Sequence, residues 1–194
     1  MKEGQNVFVL INEAGDYTKF KPDKSVEGFV IGMGAWVKKG ISSMAQPLGE
    51  KAKGKKVIVN TNYYFEDDGE RNTVAFDLKH VIDKVDGITI QGMLWDVPVM
   101  VKDMMAFAGK VYYTILADPK LVPIETQASF AQKARGCKCK GVIMTARFPK
   151  AIRAVREAVG KNFEILAYIE KGNKVGDGMR AGANFEILDV ELRK

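Results

Sequence analysis

Histidine and cysteine, the side chains that most often bind zinc, are scarce in this chain. Its 194 residues contain one histidine and two cysteines. The cysteines, Cys137 and Cys139, form a C-x-C pair, and the histidine, His80, lies far from them in sequence. Two cysteines cannot complete a four-ligand zinc site by themselves. We therefore predict that the pair is reduced and has no metal or redox role, and we predict no cofactor.

Long hydrophobic runs are absent as well. No apolar segment approaches the roughly 20 residues that a membrane-spanning helix needs. The first apolar run, VFVLI (7–11), is too short to be the core of a signal peptide. We expect a cytoplasmic protein that does not contact membranes. Its 46% hydrophobic and 28% charged residues are typical of a globular protein, and its length favours a single domain over 1–194.

The positions of the basic residues in the sequence do not indicate one continuous basic surface, although the formal net charge is +6. The basic residues form small clusters near 51–56, 133–140 and 150–156, at the ends or outer faces of predicted helices. Nucleic-acid binding favours one basic face with interleaved aromatic side chains. We therefore expect a solvated surface and no nucleic-acid partner, with a small anionic molecule as the alternative ligand.

What the chain does have is a series of eight short, apolar, β-branched runs. They lack clean period-two alternation, which is typical of strands buried on both faces, as in a parallel sheet. The runs are VFVLI (7–11), GFVIGMG (28–34), KVIVN (56–60), GITIQG (87–92), KVYYTILA (110–117), GVIMTA (141–146), FEILAYI (163–169) and FEILDV (185–190).

Helical patterns lie between most of these runs. Alternating strands and helices form right-handed βαβ units, and eight such units favour a compact, closed (β/α)₈ TIM barrel of the α/β class. An open doubly wound sheet is the alternative, but no Gly-x-Gly-x-x-Gly follows the first strand. The first crossover, 12–27, is predicted to be mostly loop. The predicted helices are 41–53, 72–84, 96–107, 124–135, 149–159 and 174–181.

Several segments resemble one known family. GVIMTARFPKAIRAVREAVGKNFEILAYI, followed by GDGMRAGANFEILDV, closely resembles the last three βα units of the orotidine 5'-monophosphate decarboxylase suprafamily, the ribulose-phosphate-binding barrels. GITIQG (87–92) is similar to the family's fourth strand and GFVIG (28–32) to its second. The resemblance covers the whole barrel and is strongest from about 140 to 190. It implies a lyase that acts on a nucleotide or sugar phosphate and forms homodimers.

The residues that define the family's activity are replaced. Its third strand ends in Asp-x-Lys-x-x-Asp, and the matching positions here are Asn60, Asn62 and Phe65. Its phosphate-binding Gly-Arg corresponds to Asp189-Val190. Decarboxylation without an electron sink needs preorganised charge and a proton donor, and asparagine supplies neither. We expect standard orotidine 5'-monophosphate decarboxylase activity to be absent or much reduced.

Polar residues at the strand ends are the candidates for a rebuilt site, because these ends meet in one bowl in a (β/α)₈ barrel. Surface or capping roles are the plain alternative for each of them. The acidic run 66–68 is an alternative site for a divalent metal, but no ligand spacing there is diagnostic, so we favour a solvated loop. The catalytic candidates are Asn60, Asn62, Lys171 and Asp189, and the ligand-binding candidates are Asn12, Gln91, Asp118, Arg147 and Glu170.

Two functions follow from these observations. The first is a divergent carboxy-lyase-type enzyme with a rebuilt site. The second is a non-catalytic barrel that binds a small anion or another protein. In the family, two barrels pair near their active sites, and the last Asp of the motif reaches into the partner's site. Phe65 at that position predicts an apolar contact in a homodimer.

Overall fold

The architecture is a closed barrel of eight parallel strands. A computed structural model describes residues 6–12, 26–32, 54–60, 82–90 and 109–189. The strands follow one another around the barrel in sequence order, and β1 pairs with β8 to close it. This closure confirms the predicted TIM barrel and excludes the open sheet. The strands are β1 Val7–Ile11, β2 Val26–Ile31, β3 Lys56–Asn60, β4 Gly87–Ile90, β5 Val111–Ile115, β6 Gly141–Thr145, β7 Glu164–Ile169 and β8 Phe185–Asp189.

Helices pack on the outside of the second half of the barrel. They are α1 Ile124–Gly136, α2 Pro149–Val159 and α3 Asp177–Ala181, and a 3₁₀ helix spans Ile82–Lys84. The predictions for α1 and α2 are confirmed, including Pro149 as the first residue of α2 and Gly160 as its C-cap. None of the helices among the described residues is long and apolar enough to cross a membrane.

The last helix begins three residues later than predicted. Gly176 has a φ of +94°, a left-handed conformation that interrupts any helix running from 174. The Asp177 carboxylate accepts the Lys174 N–H at 2.8 Å, so residues 174–176 form a turn before the helix. The predicted helices 41–53 and 96–107, most of 72–84 and the first crossover lie outside the described residues.

The strands are buried on both faces because each face has its own apolar layer. Outward side chains pack against the helices, and α2 contributes Ile152, Val155 and Val159, all at most 1% exposed. Inward side chains fill the barrel and form a separate cluster. Its buried members are Phe8, Val30, Ile58, Tyr112, Ile143, Leu166 and Ile187.

Glu186 on β8 holds the start of α3 in place. Its side chain is 1% exposed, and its carboxylate accepts backbone N–H groups from Gly176 at 2.7 Å, Gly178 at 2.8 Å and Met179 at 3.3 Å. Gly178 must be glycine, because a Cβ there would lie 2.3 Å from the Cβ of Ala167. The backbone donors at the start of α3 are therefore used inside the protein.

Arg156 ties the end of α2 to the segments around it. Its guanidinium donates to the carbonyl oxygens of Gly182 at 2.9 Å, Gly160 at 2.5 Å and Phe163 at 2.8 Å. It also donates to Oδ1 of Asn184, which in turn accepts the backbone N–H of Ile165 at 2.8 Å. One planar cation thus joins α2 to the beginnings of β7 and β8.

Replacing Arg156 with lysine should destabilise the barrel. A lysine keeps the charge but cannot present the guanidinium's fork of donors, so several carbonyl groups lose their partner. We expect the free energy of unfolding in urea to fall by about 2 kcal/mol. Arg153→Lys, at an exposed position on the same helix, is the matched control and should change stability little. Equal stability of the two variants would contradict this role.

Candidate functional site

A cavity of about 230 Å³ lies at the carboxyl ends of the strands. Its volume corresponds to roughly eight water molecules at about 30 Å³ each. Five of its lining residues are apolar and four are neutral and polar. The apolar residues are Leu10, Val30, Leu116, Ile143 and Ile187, and the polar residues are Asn12, Asn60, Thr114 and Tyr168.

Asp189 places a carboxylate beside this cavity. It is the last residue of β8, and both of its hydrogen-bond donors line the cavity. Nδ2 of Asn12 donates to Oδ1 at 3.2 Å, and the hydroxyl of Tyr168 donates to Oδ2 at 2.9 Å. Within the described part of the chain, no lysine or arginine forms an ion pair with Asp189. Three neighbouring strands, β7, β8 and β1, thus hold an acidic group between two neutral donors.

Tyr168 is a hydrogen-bond donor and a poor acid. Burial raises the pKa of its hydroxyl well above the ordinary value, and the hydrogen bond to Asp189 and the charges of Asp189 and Glu170 raise this pKa further. The hydroxyl therefore keeps its proton at physiological pH. In this state it stabilises the Asp189 carboxylate.

Asn60 faces a neutral partner at the end of β3. Oγ1 of Thr89 on β4 donates to Oδ1 of Asn60 at 2.6 Å. An amide and a hydroxyl can bind polar groups of a ligand, but neither transfers a proton readily at neutral pH. The pair therefore positions groups in the cavity and supplies no acid or base.

The structure brings three predicted site residues together and places four others elsewhere. Asn12, Asn60 and Asp189 surround the cavity. Oδ1 of Asp118 accepts the Lys120 N–H at 2.8 Å within a turn. The remaining described candidates do not line the cavity: Arg147 and Lys171 are exposed, and Glu170 is half-buried.

Two further predicted residues, Asn62 and Gln91, lie outside the described residues, as do Phe65 and the acidic run 66–68. No group of three His, Cys, Asp or Glu side chains that could hold a metal ion occurs within 6–12, 26–32, 54–60, 82–90 and 109–189.

Sequence reasoning missed Tyr168 and Thr114. Both point into the barrel one residue before their strands end, whereas the predicted site residues lie at or after the strand ends. Their strands are apolar on both faces, so no alternation marks which residues face inward. The pairing register would have found them, because it places Tyr168 beside Ile187, a member of the inner cluster.

The comparisons with known proteins support the same architecture. No family model and no curated protein matches the chain. Among solved structures, the orotidine 5'-monophosphate decarboxylase of Metallosphaera sedula aligns with a TM-score of 0.68 at 16% identity, over 96% of this chain and 88% of that one. The Methanocaldococcus jannaschii decarboxylase in complex with the inhibitor BMP aligns with a TM-score of 0.70 at 13% identity, over 97% and 89%.

The chain has the fold of the orotidine 5'-monophosphate decarboxylases. This confirms the predicted decarboxylase-like barrel. A 2,3-dimethylmalate lyase of the PEP mutase/isocitrate lyase superfamily also aligns, with a TM-score of 0.68 at 11% identity over 95% of this chain and 75% of that one. Sequence identities of 11–16% establish the fold alone, because one fold can carry many different chemistries.

The two cysteines of this decarboxylase-like barrel are free thiols away from the cavity. Cys137 is half-buried and Cys139 is buried. Burial, together with the neighbouring Cys137, raises the pKa of the Cys139 thiol to about 12. Reactive cysteines have a lowered pKa, so Cys139 has the properties of a packing residue.

Tyr168 should make stability depend on pH in the alkaline range. Its pKa is raised in the folded state above the unfolded value of about 10, so the unfolded chain loses this proton first as the pH rises. The contribution is fully present below pH about 10 and falls above it. Urea unfolding at pH about 8 and about 11 should show a smaller loss of stability for Tyr168→Phe than for the wild type. An identical loss in both proteins would contradict the assignment.

Cys139 should resist alkylation in the native protein. A pKa raised from about 9 to about 12 leaves about a thousandfold less thiolate at pH about 8. A Cys137→Ser variant leaves Cys139 as the only thiol. Iodoacetamide should modify it at least about a hundredfold faster in guanidinium than under native conditions, since two pKa units correspond to about a hundredfold in thiolate. Mass spectrometry measures both rates. Similar rates in both states would show that the thiol is accessible and reactive.

Proposed function

We propose that this decarboxylase-like barrel lacks standard orotidine 5'-monophosphate decarboxylase activity, or retains very little of it. In this proposal it binds a small ligand without a phosphate group in the cavity at the strand ends. The observation that carries the proposal is the Asp189 carboxylate, which Asn12 and Tyr168 hold beside the cavity. No lysine or arginine among the described residues forms an ion pair with it.

A phosphate group is disfavoured at this end of the barrel. The family's phosphate-binding Gly-Arg corresponds to Asp189-Val190, so a valine replaces the cation that the resemblance implies and an acid directly precedes it. Two like charges about 4 Å apart repel by about 4 kcal/mol at an effective dielectric constant of about 20. Asn12 and Tyr168 donate to the carboxylate but carry no positive charge, so they do not neutralise the negative charge that causes the repulsion.

The backbone N–H groups that follow β7 already have hydrogen-bond acceptors. N–H groups at a helix start commonly bind phosphate. Those of Gly176, Gly178 and Met179 already donate to the buried carboxylate of Glu186. A phosphate would have to displace this carboxylate, which β8 holds in place.

The acid–base groups of the decarboxylases have neutral replacements here. Asn60, at the first position of the replaced motif, is hydrogen-bonded to Thr89. Tyr168 is too weak an acid to protonate a carbanion-like centre at neutral pH. These features favour binding over proton transfer. The predicted homodimer stays a prediction, since Phe65 lies outside the described residues.

A ligand panel tests the proposal directly. Thermal shifts, followed by calorimetry, would be measured with UMP, a 6-substituted UMP inhibitor, ribulose 5-phosphate and inorganic phosphate, together with an assay for orotidine 5'-monophosphate consumption. We expect no stabilisation and no turnover. A ligand at 100 times its dissociation constant stabilises by about 2.7 kcal/mol, which such a measurement detects easily.

The Metallosphaera sedula decarboxylase is the positive control, since it has the same fold. Mg²⁺ and Zn²⁺ belong in the panel because of the acidic run 66–68. Stabilisation by UMP or by a sugar phosphate, or turnover comparable to that of the Metallosphaera sedula decarboxylase, would overturn the proposal.

A further inference from the structure

The Asp189 carboxylate has unused acceptor positions. It is half-buried, and each of its oxygens accepts one hydrogen bond, Oδ1 from Asn12 and Oδ2 from Tyr168. A carboxylate offers about four acceptor positions in total, so each oxygen keeps one. Both donors are neutral, and a carboxylate withdrawn from water is best compensated by a cation.

A second polar group, on β5, lines the cavity. Thr114 is 5% exposed as a residue and is one of the cavity's lining residues. Its hydroxyl can donate a hydrogen bond to a ligand or accept one from it. β5 and β8 are three places apart around the ring of eight strands, so Thr114 and Asp189 lie on different sides of the cavity.

The wall between these two polar points is apolar. Leu10, Val30, Ile143 and Ile187 come from β1, β2, β6 and β8 and line the cavity. They offer a surface to a hydrocarbon body and no counter-charge to an anion.

We infer that the cavity binds a small organic ammonium compound. Its N–H groups donate to Asp189, its apolar body packs against the inner-face side chains, and a hydroxyl at its far end meets Thr114. This inference rests on the proposed absence of phosphate binding at the same site and names the class of ligand that replaces the phosphorylated one.

Three matched probes separate the contribution of the ammonium group to the affinity from that of the distal hydroxyl. Tyramine carries an ammonium group and a distal hydroxyl on a phenyl ring. Tyrosol replaces the ammonium group with a neutral hydroxyl, and phenethylamine lacks the distal hydroxyl. We expect the full chain to bind tyramine at least about tenfold more tightly than tyrosol in calorimetric titration, since about 1.4 kcal/mol from a charge-assisted hydrogen bond gives that factor. Phenethylamine should bind more weakly than tyramine.

Three variants assign these differences to residues. Asp189→Asn keeps the shape and should remove the preference for tyramine over tyrosol. Thr114→Val is isosteric and should remove the preference for tyramine over phenethylamine. Glu125→Gln deletes an exposed acid in the first turn of α1, at the same end of the barrel, and should leave all affinities unchanged.

The ammonium inference is overturned if tyramine does not bind, if tyrosol binds equally tightly, or if Asp189→Asn leaves the tyramine affinity unchanged. The comparison of tyramine with tyrosol needs only the wild type, so it decides the matter even if a variant fails to fold. If UMP and ribulose 5-phosphate also fail to bind, these outcomes leave the proposed function standing. Binding of those phosphates overturns the proposed function itself.

Discussion

The pairing of β1 with β8 is the contact on which the rest of the structure depends. It closes the barrel, so every strand has two hydrogen-bonded neighbours and no edge is left open. It also creates the candidate site, because Asn12 and Asp189 are 177 residues apart in sequence and form a hydrogen bond across this seam. Without closure the acid would lack one of its two donors, and the cavity would lack one of its walls.

The outer face of the same closed sheet also provides a hydrogen-bond acceptor for the backbone N–H groups at the start of α3. Those N–H groups are therefore not free to bind a ligand. Glu186 and Asp189 are three residues apart on β8 and point to opposite faces. The outward Glu186 accepts hydrogen bonds from the start of α3, whereas the inward Asp189 keeps free acceptor positions beside the cavity. One acid thus occupies backbone donors at the start of α3, and the other places a negative charge beside the cavity.

The fold does not by itself determine the chemistry of this protein. The barrel aligns along nearly its whole length with orotidine 5'-monophosphate decarboxylases. The groups at its strand ends are a neutral pair, Asn60 with Thr89, and a carboxylate with neutral donors. A barrel tolerates such exchange because its stability comes from the apolar layers below the strand ends, where Phe8, Ile58 and Leu166 pack.

The sequence by itself determined where the strands lie and that they alternate with helices in the C-terminal half, and it predicted that the residues needed for decarboxylation are replaced. These are local properties, read from composition, from β-branched runs and from residue identity. Only the tertiary structure decided which residues meet. Tyr168 and Thr114 face the cavity, and Arg147 and Lys171 do not, because barrel closure and strand register fix the inward set. Strands that are apolar on both faces carry no alternation from which that register could be inferred.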